Sequence, residues 1–179
     1  MILVVAATAE ELAGAGGTAT LACGVGPVEA AARTAAALER ERPAGLLHVG
    51  IAGARTFDGP AVVIGSEAVY CDADDPRFFE LRLPADPQLL ARVRRALPEA
   101  RLEAIGTSAR VGGSSGCEVE AMEGYAVLRA ADIAGVPAVE VRVLSNAVGE
   151  PDRSRWRFDE ARAELQRIVP LVLRELVRA

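Results

Sequence analysis

Polar residues at the ends of apolar segments are the ones in this chain best suited to chemistry. Glu10 and Glu11 follow the apolar run 2–8, Glu120 and Glu123 lie in the stretch EAMEG, and Asn146 ends the stretch RVLSN. A carboxylate can activate water or accept hydrogen bonds, and an amide can donate one hydrogen bond and accept another. Each residue alone is also common as a helix cap or first-turn acid. Their joint occurrence along the chain favours a functional site over these separate structural roles.

The residue types that are missing or scarce restrict this chemistry. All 20 basic residues are arginine, which excludes a lysine Schiff base and a lysine-containing phosphate loop. His48 is the only histidine, and one histidine cannot build a multi-histidine metal site. Its apolar neighbours favour a core position over a catalytic one. We therefore expect neither a metal nor a cofactor, and a site made of carboxylates, amides, hydroxyls and backbone groups.

Composition and charge indicate the class of protein. A chain of 179 residues with 51% hydrophobic content can bury one core, which predicts a single domain over residues 1–179. The net charge of −5 argues against a nucleic-acid partner. The first residues lack a basic segment and no apolar run reaches membrane length, so we expect no membrane partner. Three widely spaced cysteines, Cys23, Cys71 and Cys117, fit reduced thiols and a cytoplasmic location.

Apolar runs and helical stretches alternate along the chain and predict how the polar residues are positioned. Strands are expected at 2–8, 18–23, 45–51, 61–70, 102–107 and 138–144, and helices at 28–42, 86–97, 119–134 and 158–179, the last bent or broken before Pro170. This alternation predicts an α/β fold, expected as a three-layer α/β/α sandwich with a central mixed, mostly parallel sheet. Ligands bind such folds where strands end, and the glycine-rich turn 50–54 falls there.

Several motifs taken together carry a resemblance to a known family. They are VVAATAEEL, GVGPVEAAA, GIAGA, SEAVY, VEAMEGYAV, VPAVEVRVLSNAVG and PDRSRWRFDEA, and they run nearly from end to end. The chain resembles the nucleoside phosphorylase/nucleosidase superfamily, in particular the methylthioadenosine/S-adenosylhomocysteine nucleosidases and the futalosine hydrolases. The ending SNAVGEPDRSRW is more similar to the futalosine hydrolases, because the methylthioadenosine enzymes carry Ser-Asp at its start.

This resemblance implies a role for each candidate residue. Glu11 would activate water, Glu123 would accept hydrogen bonds from the ribose hydroxyls, and Met122 would pack against the sugar. These roles suit ribosyl-bond cleavage, which passes through an oxocarbenium-like state. The resemblance also implies further substrate contacts, from Ile51, Ala52, Gly53 and Ser145.

Asn146 stands where the methylthioadenosine enzymes have the acid that protonates the purine. An amide cannot act as a general acid, but its donor and acceptor suit a 6-oxopurine. This favours futalosine, a hypoxanthine nucleoside of menaquinone biosynthesis with a carboxylated aromatic tail. We expect Arg153 and Trp156 to clamp that tail, with Arg155 and Arg157 nearby. In the alternative arrangement Trp156 only packs the last helix while the arginines face water.

Other functions stay open at this point. A methylthioadenosine/S-adenosylhomocysteine nucleosidase is the nearest alternative. A phosphorylase is another, although Ile51 stands where a phosphate-binding hydroxyl would be useful. Compared with the family, the chain is shortened at 13–17 and at 107–118, which leaves room for a non-catalytic relative that only binds a nucleoside. The resemblance also implies a homodimer.

Overall fold

The computed structural model describes residues 1–112 and 116–177, and within them strands and helices alternate. The strands are β1 Ile2–Ala6, β2 Ala19–Ala22, β3 Gly45–Ala54, β4 Val62–Tyr70, β5 Arg82–Pro84, β6 Arg101–Thr107, β7 Val119–Ala121 and β8 Ala138–Ala147. The helices are α1 Pro27–Glu41, α2 Pro87–Ala96, α3 Gly124–Ile133 and α4 Phe158–Val177, with short 3-10 helices at Glu10–Leu12 and Arg153–Arg155. No helix in these residues is long and apolar enough to span a membrane.

The strands form one mixed sheet that closes on itself. Strand β3 pairs with β8, β8 with β4, β4 with β6, β6 with β7, and β7 returns to β3. Strands β1 and β2 extend the sheet from β3, and β5 attaches to β4. The predicted α/β class and mixed sheet are confirmed. The three-layer sandwich does not describe this barrel-like closure, because alternation predicts a covered sheet but not which distant strands pair.

Helices cover the sheet on two sides, and the side chains of β1 alternate between them. Ile2 and Val4 pack into a cluster that includes residues of α2 and α4, such as Leu165. Leu3 and Val5 pack instead with residues of α1 and α3, such as Val127. This alternation is expected of a strand with both faces buried. As a result β1 ends inside the protein, and its following residues reach the site described below.

Several predicted boundaries are wrong in ways that concern the site. Residues 119–121 form strand β7 instead of opening a helix, and α3 begins only at Gly124. The predicted turn 50–54 is the final half of β3, with a bulge between Ala52 and Gly53. Helix α4 continues through Pro170 without interruption. The flexible loop predicted at 112–116 lies partly outside the described residues. The predicted helix end at 178–179 lies wholly outside them.

Candidate active site

A cavity of about 730 Å³ lies where β1, β3 and β8 end and where α3 begins. All ten residues predicted to contact substrate line this cavity: Glu11, Ile51, Ala52, Gly53, Met122, Glu123, Ser145, Asn146, Arg153 and Trp156. The strand ends bring them together although they are far apart in the chain, as expected for ligand sites in α/β folds.

Glu11 is held in place by three hydrogen bonds. It lies in the short 3-10 helix after β1 and is 5% exposed. The backbone N–H and the hydroxyl of Thr8 each donate to Oε2 at 3.0 Å, and the backbone N–H of Ile51 donates to Oε1 at 3.0 Å. A carboxylate has about four acceptor positions, so one on Oε1 is left for a water molecule. Glu11 therefore lines the cavity with one acceptor position left for a ligand.

Behind the cavity wall, the guanidinium of Arg142 in β8 contacts residues of β8 and β3 and the residue that precedes α3. Arg142 is fully buried, and its Nε donates to Glu140 Oε1 at 2.7 Å. Its Nη1 lies 3.9 Å from Glu123 Oε2 and 3.4 Å from the carbonyl oxygen of Ile51. A buried charge is tolerated only when paired and hydrogen-bonded, and here two carboxylates surround it. Arg142 thus fixes the position of Glu123.

His48 completes this buried network as a neutral residue. A guanidinium has donors only, so Arg142 Nη2 donates to His48 Nε2. The other ring nitrogen, Nδ1, must then carry the proton that it donates to the carbonyl oxygen of Val5 at 3.0 Å. Burial first, and the charge of Arg142 second, lower the pKa of His48 well below its usual value. The histidine is a core residue, as its apolar neighbours in sequence indicated. It also orients Arg142 by accepting a hydrogen bond from it.

Glu123 joins the cavity to the start of α1. The backbone N–H of Gly26 donates to its Oε1 at 2.9 Å. Burial is the main influence on this carboxylate and raises its pKa, while the charge of Arg142 and the Gly26 hydrogen bond act in the opposite direction. With Oε1 and Oε2 both oriented, Glu123 presents a defined acceptor to hydroxyl groups of a ligand.

Two glycines of the sequence motifs are required by this network. A Cβ added at Gly50 would overlap Arg142 Nη1 and lie 3.0 Å from Glu11 Oε1. A Cβ added at Gly124 would overlap the carboxylate of Glu140. Since these neighbours are buried and paired, they have no room to move aside. The first glycine of GIAGA, Gly50, and the glycine of Met-Glu-Gly are therefore explained by close packing of charged side chains.

Asn146 presents an amide to the cavity in a defined orientation. Its Nδ2 donates to the carbonyl oxygen of Ala147 at 3.0 Å, and its Oδ1 accepts from the Ser145 hydroxyl at 2.7 Å. A carbonyl oxygen can only accept, so the assignment of Nδ2 follows from that contact. The second N–H of the amide is left for a ligand acceptor.

One wall of the cavity has two neighbouring aromatic rings with an arginine at each end. Arg153 lies over the ring of Trp156 at 5.5 Å, Trp156 and Phe158 are 5.2 Å apart, and Arg162 lies over Phe158 at 5.6 Å. All four line the cavity. We call this row the aromatic wall.

The two arginines that follow Arg153 in the sequence make other contacts. Arg155 and Arg157 form ion pairs with Glu150 and Glu160. Of the three arginines around Trp156 in the sequence, Arg153 is thus the one whose placement fits a clamp. The prediction missed Arg162, although its position four residues after Phe158 puts both on one face of α4.

The described residues contain no group of three or more potential ligands that could hold a metal ion. The cavity also contains Glu120, which received no role from the sequence although it lies in the same stretch as Met122 and Glu123. In the strand that forms, Glu120 pairs with Gly53 of β3.

Comparisons with known proteins identify the family. The chain is 35% identical to a futalosine hydrolase of Streptomyces coelicolor over 175 residues, which cover 81% of this chain and 74% of the relative. It is 32% identical to a futalosine hydrolase of Thermus thermophilus over 187 residues, covering 87% and 80%. No family model matches the chain.

Solved structures agree on the fold. An S-adenosylhomocysteine nucleosidase of Streptococcus pyogenes matches with a TM-score of 0.85 at 22% identity, covering 99% of this chain and 97% of that one. A futalosine hydrolase mutant of Helicobacter pylori matches with a TM-score of 0.79 at 17% identity, covering 98% and 96%. On the sequence identity to the curated relatives, the chain belongs to the futalosine hydrolase family.

Proposed function

We propose that this protein hydrolyses the N-glycosidic bond of futalosine, releasing hypoxanthine and dehypoxanthinyl futalosine in menaquinone biosynthesis. The observation that carries the proposal is the pair of buried, oriented carboxylates, Glu11 and Glu123, in one cavity. A relative that only binds nucleosides would not need a carboxylate held by three hydrogen bonds with an acceptor position left for water.

The reaction follows from what each group can do. As the bond from the sugar to the purine breaks, its electron pair leaves with the purine and positive charge develops on the ribose. Glu11 takes a proton from a water molecule, whose oxygen forms the new bond to the anomeric carbon. Glu123 accepts hydrogen bonds from the ribose hydroxyls, and Met122 packs against the sugar. The departing purine is stabilised by an N–H of Asn146 and takes a proton from solvent water. Glu11 releases to solvent the proton that it took, so that one water molecule is consumed overall.

The aromatic wall is proposed to hold the tail of the substrate. Trp156 and Phe158 offer ring faces for an aromatic group, and Arg153 offers a cation for its carboxylate. Water is the proposed nucleophile because Ile51 places an apolar side chain in the cavity where a phosphorylase would use a hydroxyl. An adenosine nucleoside is the less suitable substrate because Asn146 cannot protonate the leaving base.

A panel of substrates tests this function. The protein is incubated separately with futalosine, aminodeoxyfutalosine, methylthioadenosine and inosine, with and without phosphate, and the free base is followed by chromatography. We expect futalosine to be cleaved with the highest kcat/KM, and phosphate not to raise the rate. Cleavage of methylthioadenosine with none of futalosine would refute the substrate, and no free base from any of them would favour a binding protein.

We also propose that residues 1–179 act as one domain in a cytoplasmic homodimer. Val25 and Val111 line the cavity and are nevertheless 60% and 52% exposed. Apolar side chains exposed at a cavity mouth are typical of a surface covered by another subunit. Light scattering at micromolar concentration should give the mass of a dimer, and a monomer would contradict this arrangement.

The widely spaced cysteines support the cytoplasmic location.

A further inference from the structure

Glu120 is a buried carboxylate in the cavity that the mechanism above does not use. It lies in β7, is 7% exposed, and lines the cavity. Its Oε2 is buried, and no donor among the described residues reaches it. A buried polar atom without a partner costs free energy, and in a binding site the missing partner is expected to come from a ligand.

The sheet places this carboxylate close to the amide of Asn146. Gly53 of β3 pairs directly with Glu120 on one side and with Asn146 on the other. Residues paired across neighbouring strands project from the same face of a sheet. Gly53 has no side chain, and a Cβ there would lie 3.1 Å from Asn146 Nδ2. The Asn146 amide and the Val148 side chain lie over Gly53. An acceptor, Glu120, and a donor, the amide N–H of Asn146, thus flank the same residue of β3.

We infer that Glu120 and Asn146 together bind the edge of a 6-oxopurine that carries N1, O6 and N7. The two groups match its chemistry: N1 of hypoxanthine carries a hydrogen that a carboxylate can accept, and O6 and N7 accept from an amide N–H. In a 6-aminopurine N1 has a lone pair instead, which a carboxylate repels. This inference rests on the proposed function and names the residue that makes the site selective for hypoxanthine over adenine.

The experiment compares futalosine with aminodeoxyfutalosine, which share the tail and differ at position 6 of the purine. Wild-type protein should favour futalosine in kcat/KM by at least about 100-fold, because a site built to pair a buried polar group rejects analogues strongly. In Glu120→Gln the side chain can turn an N–H toward N1 of the 6-aminopurine. The preference should then fall by about tenfold or more.

A matched control lies two residues earlier. Glu118 is partly exposed and accepts from the backbone N–H of Thr56 at 2.7 Å, so Glu118→Gln should leave the preference unchanged. A purely structural role for Glu120 would lower both activities equally and keep their ratio. That result, or wild-type protein without a preference, would overturn the inference. Cleavage of neither nucleoside by wild-type protein would instead refute the proposed function.

A binding measurement on wild-type protein decides the matter even where Glu120→Gln does not fold. Free hypoxanthine presents the same edge as the substrate and should bind at least about tenfold more tightly than adenine in calorimetry. Equal affinities for the two bases would overturn the inference.

Discussion

Glu11→Gln should lower kcat for futalosine by about 100- to 10,000-fold, the usual contribution of a general base. The amide is nearly isosteric, yet it cannot take a proton from water. It also replaces one acceptor oxygen by a donor, which would face the N–H groups of Thr8 or Ile51 that now donate to the carboxylate. KM should change much less than kcat, because the water is activated only as the reaction proceeds. Steady-state kinetics with detection of the free base measure both.

The neighbouring glutamate supplies the control for this prediction. Glu10 is exposed in the same 3-10 helix and does not line the cavity, so Glu10→Gln alters the charge of this segment by the same amount and leaves Glu11 its three hydrogen bonds. Its turnover should match the wild-type value. Near-normal turnover in Glu11→Gln would show that another group activates the water.

The position of the candidate catalytic residues in one cavity could be predicted because their motifs fall at strand ends. The apolar run before Glu11 and the run before Asn146 each predict a buried strand, and both strands form next to β3. The membership in the futalosine hydrolase family, predicted from the same motifs, is confirmed by 35% identity to a curated relative. Buried strands are marked in sequence by short apolar runs that are rich in β-branched residues and end at turn or polar residues.

The remaining features depend on contacts between distant segments. Strand β7 has three residues and lies just before helix α3. The hydrophobic pattern of so short a strand cannot be told apart from that of the helix that follows it. Glu120 faces the cavity only because β7 pairs with β3 and closes the sheet. Arg142 and Glu140 look in sequence like charges on an exposed face of a strand, yet they are buried against each other. Sequence periodicity does not encode pairings of this kind.

The last prediction concerns Glu123, whose contribution depends on its charge. Glu123→Gln should lower kcat/KM by about 2–4 kcal/mol of transition-state stabilisation, which is about 30- to 900-fold, and both kcat and KM should worsen. The ribose hydroxyls would lose a charged acceptor as positive charge develops on the sugar, and Arg142 would lose one of its two carboxylate neighbours. Glu150→Gln is the comparison, because Glu150 lines the cavity but pairs with Arg155.

The pH dependence of this loss identifies its cause. Burial raises the pKa of Glu123, so the wild-type carboxylate takes up its proton at a pH above the usual value near 4.5. Protonated Glu123 is neutral, like glutamine, and has lost the charged acceptor. The wild-type advantage over Glu123→Gln should therefore be complete at high pH and shrink as the pH falls through that raised pKa. Parallel measurements of kcat/KM for both proteins across the acidic range give this ratio. A ratio that does not change with pH would mean that Glu123 acts through packing, and that the charge facing the ribose comes from another group.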